Sequence, residues 1–363
     1  MNLLEKFKFK GDKVILGITI LLSLISILAV LSSAESAGGF IRHLMFIGLC
    51  FLSMFITYII SYKTLSKLAP AFALLAFILL VVTLLFGNEE RRGIQFGSFE
   101  FQTFYIIGFL VIFFIAKYLT AYINSGLEMS RNGLIILFGI VLMFTGGMAI
   151  SNMSTAIIFF STSLVVMFLG KVPGKYLLLF CAITAICGSI YLFGTDSGRS
   201  STFRHRCDFY ITNDNSEGYG DQMIKSKAAI ARSGLLPAGP GQGVINKNLP
   251  EKDTDYVFTS VTEELGALVG IIILLCYLII FYRSIHIAKN SEGPFGTLLA
   301  VGIGFWFCCH GLVNIGVNCG LIPATGQTLP FISRGGSSLL FAGLATGVLL
   351  NISKTETENK PSL

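Results

Sequence analysis

Long apolar runs separated by short polar breaks dominate the chain. Each run is close to twenty residues, the length that a helix rising about 1.5 Å per residue needs to cross a hydrocarbon core of about 30 Å. Ten spans are predicted, at roughly 14–31, 41–60, 68–86, 104–121, 133–150, 155–170, 176–193, 257–282, 297–318 and 337–352. Hydrophobic residues make up 53% and charged residues 13% of the chain, unlike a soluble domain. The pattern predicts an all-α polytopic membrane protein in which residues 1–363 form a single membrane domain.

Basic residues are spread unevenly over the segments between these runs. If the N-terminus is cytoplasmic, the inner segments carry fourteen lysines and arginines and the short outer loops carry four. Because cytoplasmic loops are enriched in these residues, both termini are predicted to face the cytoplasm. The other eight cations lie in residues 194–256, a segment long enough to be translocated whatever its charge. The net charge of +6 follows this topology and does not indicate a nucleic-acid partner.

Residues 194–256 form the one long polar segment, between the seventh and eighth spans. Loops of this length are usually functional, so we expect a large extracytoplasmic loop with a role of its own. Within it, residues 221–231 show the spacing of a short amphipathic helix. The Gly- and Pro-rich residues 235–243 lack the spacing of nucleotide-binding loops.

The cysteines and histidines do not form a recognisable metal motif. The eight cysteines lie mostly inside spans, without zinc-ligand spacing, and are expected to pack between helices. A disulfide between Cys207 and Cys319, both on the predicted outer side, is the lesser alternative. The four histidines are dispersed along the chain and do not support a histidine metal site.

Acidic residues concentrate where the polar segment re-enters the membrane. Glu251, Asp253 and Asp255 lie within five residues, and Glu263 and Glu264 follow inside the next span. Charge at a bilayer boundary or inside a span is costly and usually functional. This stretch is therefore expected to carry the chemistry.

Helical geometry suggests different roles for these carboxylates. If a helix begins near Thr254, Asp255 is the outermost group of a polar stripe and a candidate base for a hydroxyl group. Capping of the helix N-terminus is the alternative role for Asp255. Glu263 is expected to pair with a backbone group or an arginine, whereas Glu251 and Asp253 are expected to be solvated.

Two stretches in the second half of the chain carry distinctive motifs. Residues 249–266 read Leu-Pro-Glu-Lys-Asp-Thr-Asp-Tyr-Val-Phe and end in Glu-Glu-Leu-Gly. Residues 312–338 contain Asn-Ile-Gly and Gly-Leu-Ile-Pro-Ala-Thr-Gly, and end in Leu-Pro-Phe-Ile-Ser-Arg-Gly-Gly-Ser-Ser. Both stretches resemble blocks of the SEDS family (shape, elongation, division, sporulation), the FtsW/RodA polymerases. The motif-level resemblance covers residues 194–340 and implies the same ten-span layout; its details are closer to the division member than to the elongation member.

The chain departs from the family pattern at four places. Gln102-Thr-Phe-Tyr105 stands where the family often has Gln-Pro-Ser-Glu, and 150–154 reads Ile-Ser-Asn-Met-Ser instead of Gln-Pro-Asp-Leu-Gly. His310 stands where glutamine is common, and Arg334 replaces the usual tyrosine. No residue role is therefore carried over to the first half of the chain, whereas Asp255 matches the family.

The resemblance implies an enzyme that builds glycan strands. Such a polymerase joins lipid II, a disaccharide–pentapeptide on a polyprenyl diphosphate, to a growing peptidoglycan strand outside the bacterial cytoplasmic (inner) membrane. The reaction needs a base for the acceptor hydroxyl, cations for the departing diphosphate and a groove open to lipid. The implied partners are a class B penicillin-binding transpeptidase and other membrane proteins of the division septum; an elongation-type polymerase is the alternative.

The resemblance also implies roles for individual residues. Asp255 is the implied catalytic base. Candidates to bind the diphosphate or another part of the substrate are Arg199, Arg204, Arg206, Lys225, Lys227, Lys247, Arg334 and Ser337. A divalent cation, Mg²⁺ or Mn²⁺, is a candidate to share the diphosphate charge, and Glu263, His310 and Asn314 are expected to support the site structurally. Two roles stay open for Arg334, contact with the diphosphate or an ion pair with Glu263.

Two other classes of function stay open. A flippase or transporter of lipid-linked precursors would use the polar residues inside the spans, such as His310, Asn314 and Asn318 at a spacing of four. No inverted repeat of interrupted helices supports that reading. A non-catalytic scaffold would need only helix surfaces, and the intact Asp255 argues against it.

Overall fold

The computed structural model describes residues 9–33, 37–87, 93–96, 99–194, 198–212 and 219–358. In chain order the helices are α1 (Lys13–Ser33), α2 (Ala37–Ile59), α3 (Tyr62–Phe86), α4 (Thr103–Ser125), α5 (Arg131–Ala149), α6 (Met153–Leu169), α7 (Gly174–Gly194), α8 (Gly198–Thr212), α9 (Tyr219–Arg232), α10 (Val257–Leu265), α11 (Ala267–Asn290), α12 (Pro294–Asn318) and α13 (Gly336–Glu358). Two antiparallel three-residue strands, β1 (Ile94–Phe96) and β2 (Phe99–Phe101), and a 3-10 turn at Asn246–Asn248 complete the regular structure of these ranges.

The predicted polytopic fold is confirmed. Nine helices in the described part of the chain are long and apolar enough to cross a membrane, and α6 is a shorter apolar helix of 17 residues at the place of the span predicted over 155–170. The predicted amphipathic helix in the polar segment is also present, as α9. α4, α12 and α13 are the most buried spans, whereas α7 lies at the edge of the bundle.

One predicted span, over residues 257–282, is not a single helix. The continuous helix expected over 257–282 is two helices, α10 and α11, which are separated at Gly266 with φ 89° and ψ 157°. This backbone conformation is accessible almost only to glycine. A Cβ atom at Gly266 would also lie 2.8 Å from the carbonyl oxygen of Leu235. The break therefore lets the Gly-rich loop pass against the helix, where Ala267 donates its N–H to the carbonyl of Gly234 at 2.9 Å.

Small residues bring α13 against α2. Gly343 and Gly347 are four residues apart, and a Cβ atom on Gly343 would lie 2.1 Å from the carbonyl oxygen of Cys50. The hydroxyls of Ser53 and Thr57 on α2 donate across this contact to carbonyls of α13, each at 3.0 Å. Small residues at this spacing are the usual means by which two membrane helices approach closely.

Segments predicted to be cytoplasmic meet at one end of the bundle. Asp12 before α1 forms an ion pair with Arg283 near the end of α11. Lys63 at the start of α3 pairs with Glu292 between α11 and α12 at 2.6 Å. Lys354 near the end of α13 donates to the backbone at the end of α2. The polar segment with α8 and α9 lies at the opposite end, which is called the outer end below.

Candidate active site

Asp255 lies in a turn that leads into α10, and it is half-buried. The helix begins at Val257, and the residue at its cap position is Tyr256. The helix start expected near Thr254 is therefore wrong, and the alternative role of Asp255 as the capping residue is not supported. The carboxyl group still lies beside the N-terminus of α10, where the helix dipole favours a negative charge.

Two asparagines of α12 hold the backbone of Asp255. Asn314 and Asn318 are fully buried, and each donates its side-chain amide to the carbonyl of Asp255 at 2.9 Å. The side-chain oxygen of Asn318 also accepts the backbone N–H of Thr259 at 3.0 Å, which ties the first turn of α10 to the end of α12. Asn314 and Asn318 thus both hold the backbone at Asp255.

The two residues before Asp255 are held by the loop that precedes α13. The backbone N–H of Arg334 donates to the carbonyl of Asp253 at 2.7 Å, and the hydroxyl of Ser333 donates to the carbonyl of Thr254 at 2.6 Å. The guanidinium of Arg334 also pairs with the carboxylate of Asp253, at 3.3 Å. The expectation that Asp253 is solvated is therefore wrong, and the three carbonyls at 253–255 are all bonded.

Glu263 and Glu264 are buried and serve a structural purpose. Glu263 accepts the backbone N–H groups of residues 244–246 at 2.9 to 3.1 Å. Glu264 accepts the side-chain amide of Asn246 at 2.9 Å. The pairing of Glu263 with backbone groups, one of the two predicted options, is what the structure shows, and the ion pair with Arg334 is wrong. These donors supply the hydrogen bonds that buried carboxylate oxygens need.

A cleft of about 290 Å³, open to the outer end, contains Asp255. Its other main polar lining residues are Arg206, Gln222, Thr325 and Gln327. Arg206 reaches it from α8 and donates to the carbonyl of Ala324 at 3.2 Å. The cleft thus combines a carboxylate, a guanidinium and neutral hydrogen-bonding groups, which is a set suited to sugars and phosphate.

Two further spaces extend from this cleft toward the membrane. Arg206 and Thr325 also line a second cleft of about 400 Å³, together with Ser151 and Asn152 at the start of α6. The second cleft shares Tyr191 and other lining residues with an apolar groove of about 1170 Å³ between α5, α6 and α7. The carboxylate of Asp255, the guanidinium of Arg206 and the apolar groove therefore follow one another in this order.

Several buried polar atoms in these clefts have no hydrogen-bond partner within the described residues. They are the hydroxyl oxygens of Ser151 and Thr325 and the side-chain oxygen of Gln327. Gln327 itself is anchored on α6, since its amide nitrogen donates to Thr155 at 3.0 Å and to Asn152 at 3.2 Å. Because buried polar atoms are normally paired, these orphaned groups indicate a place for a hydrogen-bonding ligand or water.

Most of the predicted substrate-binding cations do not line the cleft of Asp255. Of that set, Arg206 lines the cleft, whereas Lys225 pairs with Asp221 at 2.5 Å on α9. Lys227 and Lys247 are exposed, and Arg204 is half-buried on α8. The side chain of Arg199 lies outside the described residues.

Two other predicted site residues have structural positions. Ser337 is buried and accepts the backbone N–H of Gln102 at 3.0 Å, immediately before α4. A role for Ser337 in substrate binding is therefore not supported. His310 is buried in the centre of the bundle between the rings of Trp306 and Tyr105, with ring centroids at 5.4 and 5.1 Å.

Sequence reasoning missed Gln222, Gln327, Asn152 and Thr155. Gln327 lies within the second family-like block, but nothing in one sequence distinguishes it from the neighbouring polar residues. Asn152 lies in residues 150–154, where the sequence departs from the family pattern. That departure was the one feature of the sequence that could have pointed to Asn152 as a site residue.

All eight cysteines are free, so the disulfide between Cys207 and Cys319 is not formed. Burial raises the pKa of the Cys207 thiol, and the nearby charge of Asp208 adds to this effect. Burial likewise raises the pKa of Cys319. At both positions the raised pKa disfavours the thiolate, which is the reactive form of cysteine.

The described residues contain no group of three histidine, cysteine or acidic side chains arranged to hold a metal ion. Asp255 is the acidic residue that lines its cleft. A divalent cation there would take most of its ligands from a diphosphate. The expected cation stays a prediction.

The fold and the cleft define a polytopic membrane protein with a polar site at its outer end and a lipid-facing groove beside it. A family model described as "Cell cycle protein", which covers FtsW, RodA and SpoVE, matches residues 8–358. The chain belongs to this FtsW/RodA/SpoVE family.

Curated relatives support this assignment. "Stage V sporulation protein E" of Bacillus subtilis (strain 168) is 31% identical over 365 residues, which are 96% of this chain and 98% of the relative. "Probable peptidoglycan glycosyltransferase FtsW" of Coxiella burnetii is 32% identical over 331 residues, which are 88% of this chain and 87% of the relative.

Solved structures share the fold. One chain of the solved structure described as "Structural coordination of polymerization and crosslinking by a peptidoglycan synthase complex" superimposes on this protein with a TM-score of 0.77. The two are 23% identical in sequence, and the match covers 94% of this chain and 97% of that chain. The rod shape determining protein RodA of Thermus thermophilus gives a TM-score of 0.69 at 21% identity, over 94% of this chain and 96% of that chain. At these identities the likeness concerns the fold.

Proposed function

We propose that the chain polymerises peptidoglycan glycan strands from lipid II in the cleft that contains Asp255. The FtsW/RodA/SpoVE family includes relatives named as peptidoglycan glycosyltransferases, and this chain is such an enzyme. Lipid II carries its own activated sugar, so the reaction requires no nucleotide. The chain needs only to bind two lipid-linked sugars, remove a proton and stabilise the leaving group.

The observation that carries this proposal is the order of the three spaces. A lipid-linked donor consists of a sugar, a diphosphate and a polyprenyl chain, in that order. Asp255 in the first cleft, Arg206 between the two clefts and the apolar groove along α5, α6 and α7 follow the same order. The groove is large and almost wholly apolar, which suits a hydrocarbon chain.

In the proposed mechanism Asp255 acts as the general base. The hydroxyl of the acceptor sugar attacks the anomeric carbon of the donor and gives its proton to the carboxylate of Asp255. The bond between that carbon and the diphosphate oxygen breaks, and the charge of the diphosphate is stabilised by the guanidinium of Arg206. A single base without a covalent nucleophile fits a one-step, inverting displacement. Thr325 and Gln327, which line the cleft of Asp255, are available to bind sugar hydroxyls.

The location and partners of the enzyme are part of the same proposal. The clefts open at the end opposite to the lysine-rich inner end, so the reaction takes place at the outer face of the cytoplasmic membrane and both termini are cytoplasmic. Several relatives are named FtsW, which favours a role in septal wall synthesis with a class B penicillin-binding transpeptidase as the partner. The elongation-type role is the alternative, since solved RodA has the same fold.

Reconstitution in liposomes with labelled lipid II tests the proposal. The wild-type protein, alone or with the transpeptidase, should produce glycan strands that are visible on a gel. Asp255→Asn keeps the size of the side chain and removes the base, so it should abolish polymer formation without lowering the unfolding temperature. Glu251→Gln, an exposed carboxylate in the same turn, should remain active.

Each other outcome has a definite meaning. Near-wild-type polymerisation by Asp255→Asn would disprove the assignment of the base. Translocation of lipid II without any polymer would favour the flippase, and the absence of both activities in the presence of the partner would favour a scaffold.

A further inference from the structure

The loop that precedes α13 is held in a conformation that its sequence does not favour. Phe331 has φ 68°, a left-handed value that is strained for a residue other than glycine. Its ring is buried and stacks on Phe307 with a centroid distance of 5.4 Å. The hydroxyl of Tyr277 on α11 donates to the carbonyl of Pro330. Such a conformation persists only where the surroundings determine it strongly.

The first two helices hold the same loop from the other side. Ser26 of α1 donates to the carbonyl of Ile332 at 2.8 Å, and its hydroxyl oxygen lies 2.8 Å from Nε2 of His43 on α2. The hydroxyl of Ser333 is bonded to the backbone N–H of Leu329 at 2.7 Å, which closes the loop on itself. Residues 330–332 are thus contacted by α1, α11 and α12, and α2 supports the contact from α1 through His43.

The loop transmits this position to the residues before Asp255 through Arg334. Arg334 contacts Asp253 twice, by its backbone N–H and by its guanidinium. The Asp253 carboxylate is 17% exposed, and the Arg334 side chain is 37% exposed. Arg334 is not among the residues that line the clefts around Arg206. A tyrosine at this position would keep the backbone bond and would lose the ion pair.

We propose that Arg334 is a positioning residue: its ion pair with Asp253 sets the approach of the chain to Asp255, and it does not bind the diphosphate. This inference rests on the proposed role of Asp255 as the base. The physical reason is distance, since a base that moves by about 1 Å relative to its proton can slow a reaction by about 100-fold. Asp253 lies two residues before the base, and the backbone carbonyls of residues 253–255 are all held by hydrogen bonds.

A double-mutant cycle on kcat and KM with labelled lipid II tests the proposal. Arg334→Ala and Asp253→Asn should each lower kcat about tenfold, and the double variant should lose about as much as either single variant, because all three remove the same interaction. The KM for lipid II and the unfolding temperature should stay at wild-type values. Arg334→Lys should recover part of kcat, whereas Arg334→Tyr should behave like Arg334→Ala.

Two controls make the result decisive. Arg232→Ala removes an exposed arginine at the end of α9 and should change neither constant. Additive losses with a raised KM would show that Arg334 binds substrate, and losses that follow a lower unfolding temperature would show a purely structural pair; either result overturns the proposal. If Asp255→Asn is inactive while Arg334→Ala and Asp253→Asn have wild-type kcat, this inference alone fails. An active Asp255→Asn would instead disprove the proposed function.

Discussion

Two aspartates at opposite ends of the bundle show how the same side chain serves two purposes. At the inner end, Asp12 is buried and both of its oxygens are engaged. One oxygen accepts the backbone N–H groups of Val14 and Ile15 at 2.9 and 3.0 Å, and the other accepts Nε of Arg283 at 2.8 Å. One carboxylate oxygen therefore caps the first turn of α1, and the other joins this end of α1 to α11.

At the outer end the hydrogen bonds are distributed differently. The backbone of Asp255 is fixed by two asparagines, whereas its side chain lines a cleft in which Thr325 and Gln327 present buried atoms without partners in the described chain. Fixed backbone around an unsaturated polar cleft is the arrangement of a preorganised site. A carboxylate whose bonds are all internal stabilises the fold, and one that faces orphaned groups is placed for a ligand.

The largest effect is expected at the inner end, on stability. Asp12→Ala leaves Arg283 without its partner and α1 without its cap, and the loss of one member of a buried ion pair costs about 3–5 kcal/mol. The unfolding temperature in detergent should fall strongly. Lys63→Ala is the matched control, because the Lys63–Glu292 pair is exposed and contributes little. Equal decreases in the unfolding temperature for the two variants would show that the buried ion pair of Asp12 contributes no more to stability than the exposed pair of Glu292.

Next in size is the effect of Arg206, on catalysis. Arg206→Ala should lower kcat/KM for lipid II by about 10- to 100-fold, the equivalent of one charge-assisted hydrogen bond of about 1.5–3 kcal/mol. Arg206→Lys should retain part of the activity because it keeps the charge. Arg204→Ala, two residues earlier on α8, should have a much smaller effect. Similar losses for both alanine variants would mean that the clefts do not define the diphosphate position.

The positions of the membrane spans could be predicted from the sequence because length and hydropathy are local properties. The need of Glu263 for a partner could also be predicted, since a buried carboxylate must be satisfied. The break at Gly266 could not, because the apolar pattern continues through both α10 and α11. The break follows from the contact with the loop at 234–236, which no local pattern reveals.

The candidate site was predictable only in part, for a related reason. Asp255 stands in a distinctive motif, whereas Arg206 was one of several equivalent cations in the outer segment. Its selection depends on how α8 packs beside residues 324–327. The pairing of Gln327 with the start of α6 joins residues more than 170 positions apart, which a single sequence does not record.

The smallest predicted effect tests whether the orphaned atoms mark the substrate. Gln327→Met keeps the length of the side chain but removes the oxygen that has no partner and the nitrogen that bonds Thr155. If the oxygen accepts a hydrogen bond from the sugar, the KM for lipid II should rise about fivefold, as for the loss of one neutral hydrogen bond of about 1 kcal/mol, with little change in kcat. Thr155→Val removes one of the two acceptors that anchor the amide nitrogen and leaves the oxygen in place, so its KM should rise less. Thr162→Val, whose hydroxyl bonds within α6, is the control for packing. A lower unfolding temperature with an unchanged KM would assign the missing partner of Gln327 to buried water, and the unsaturated cleft would then lose its value as a marker of the sugar site.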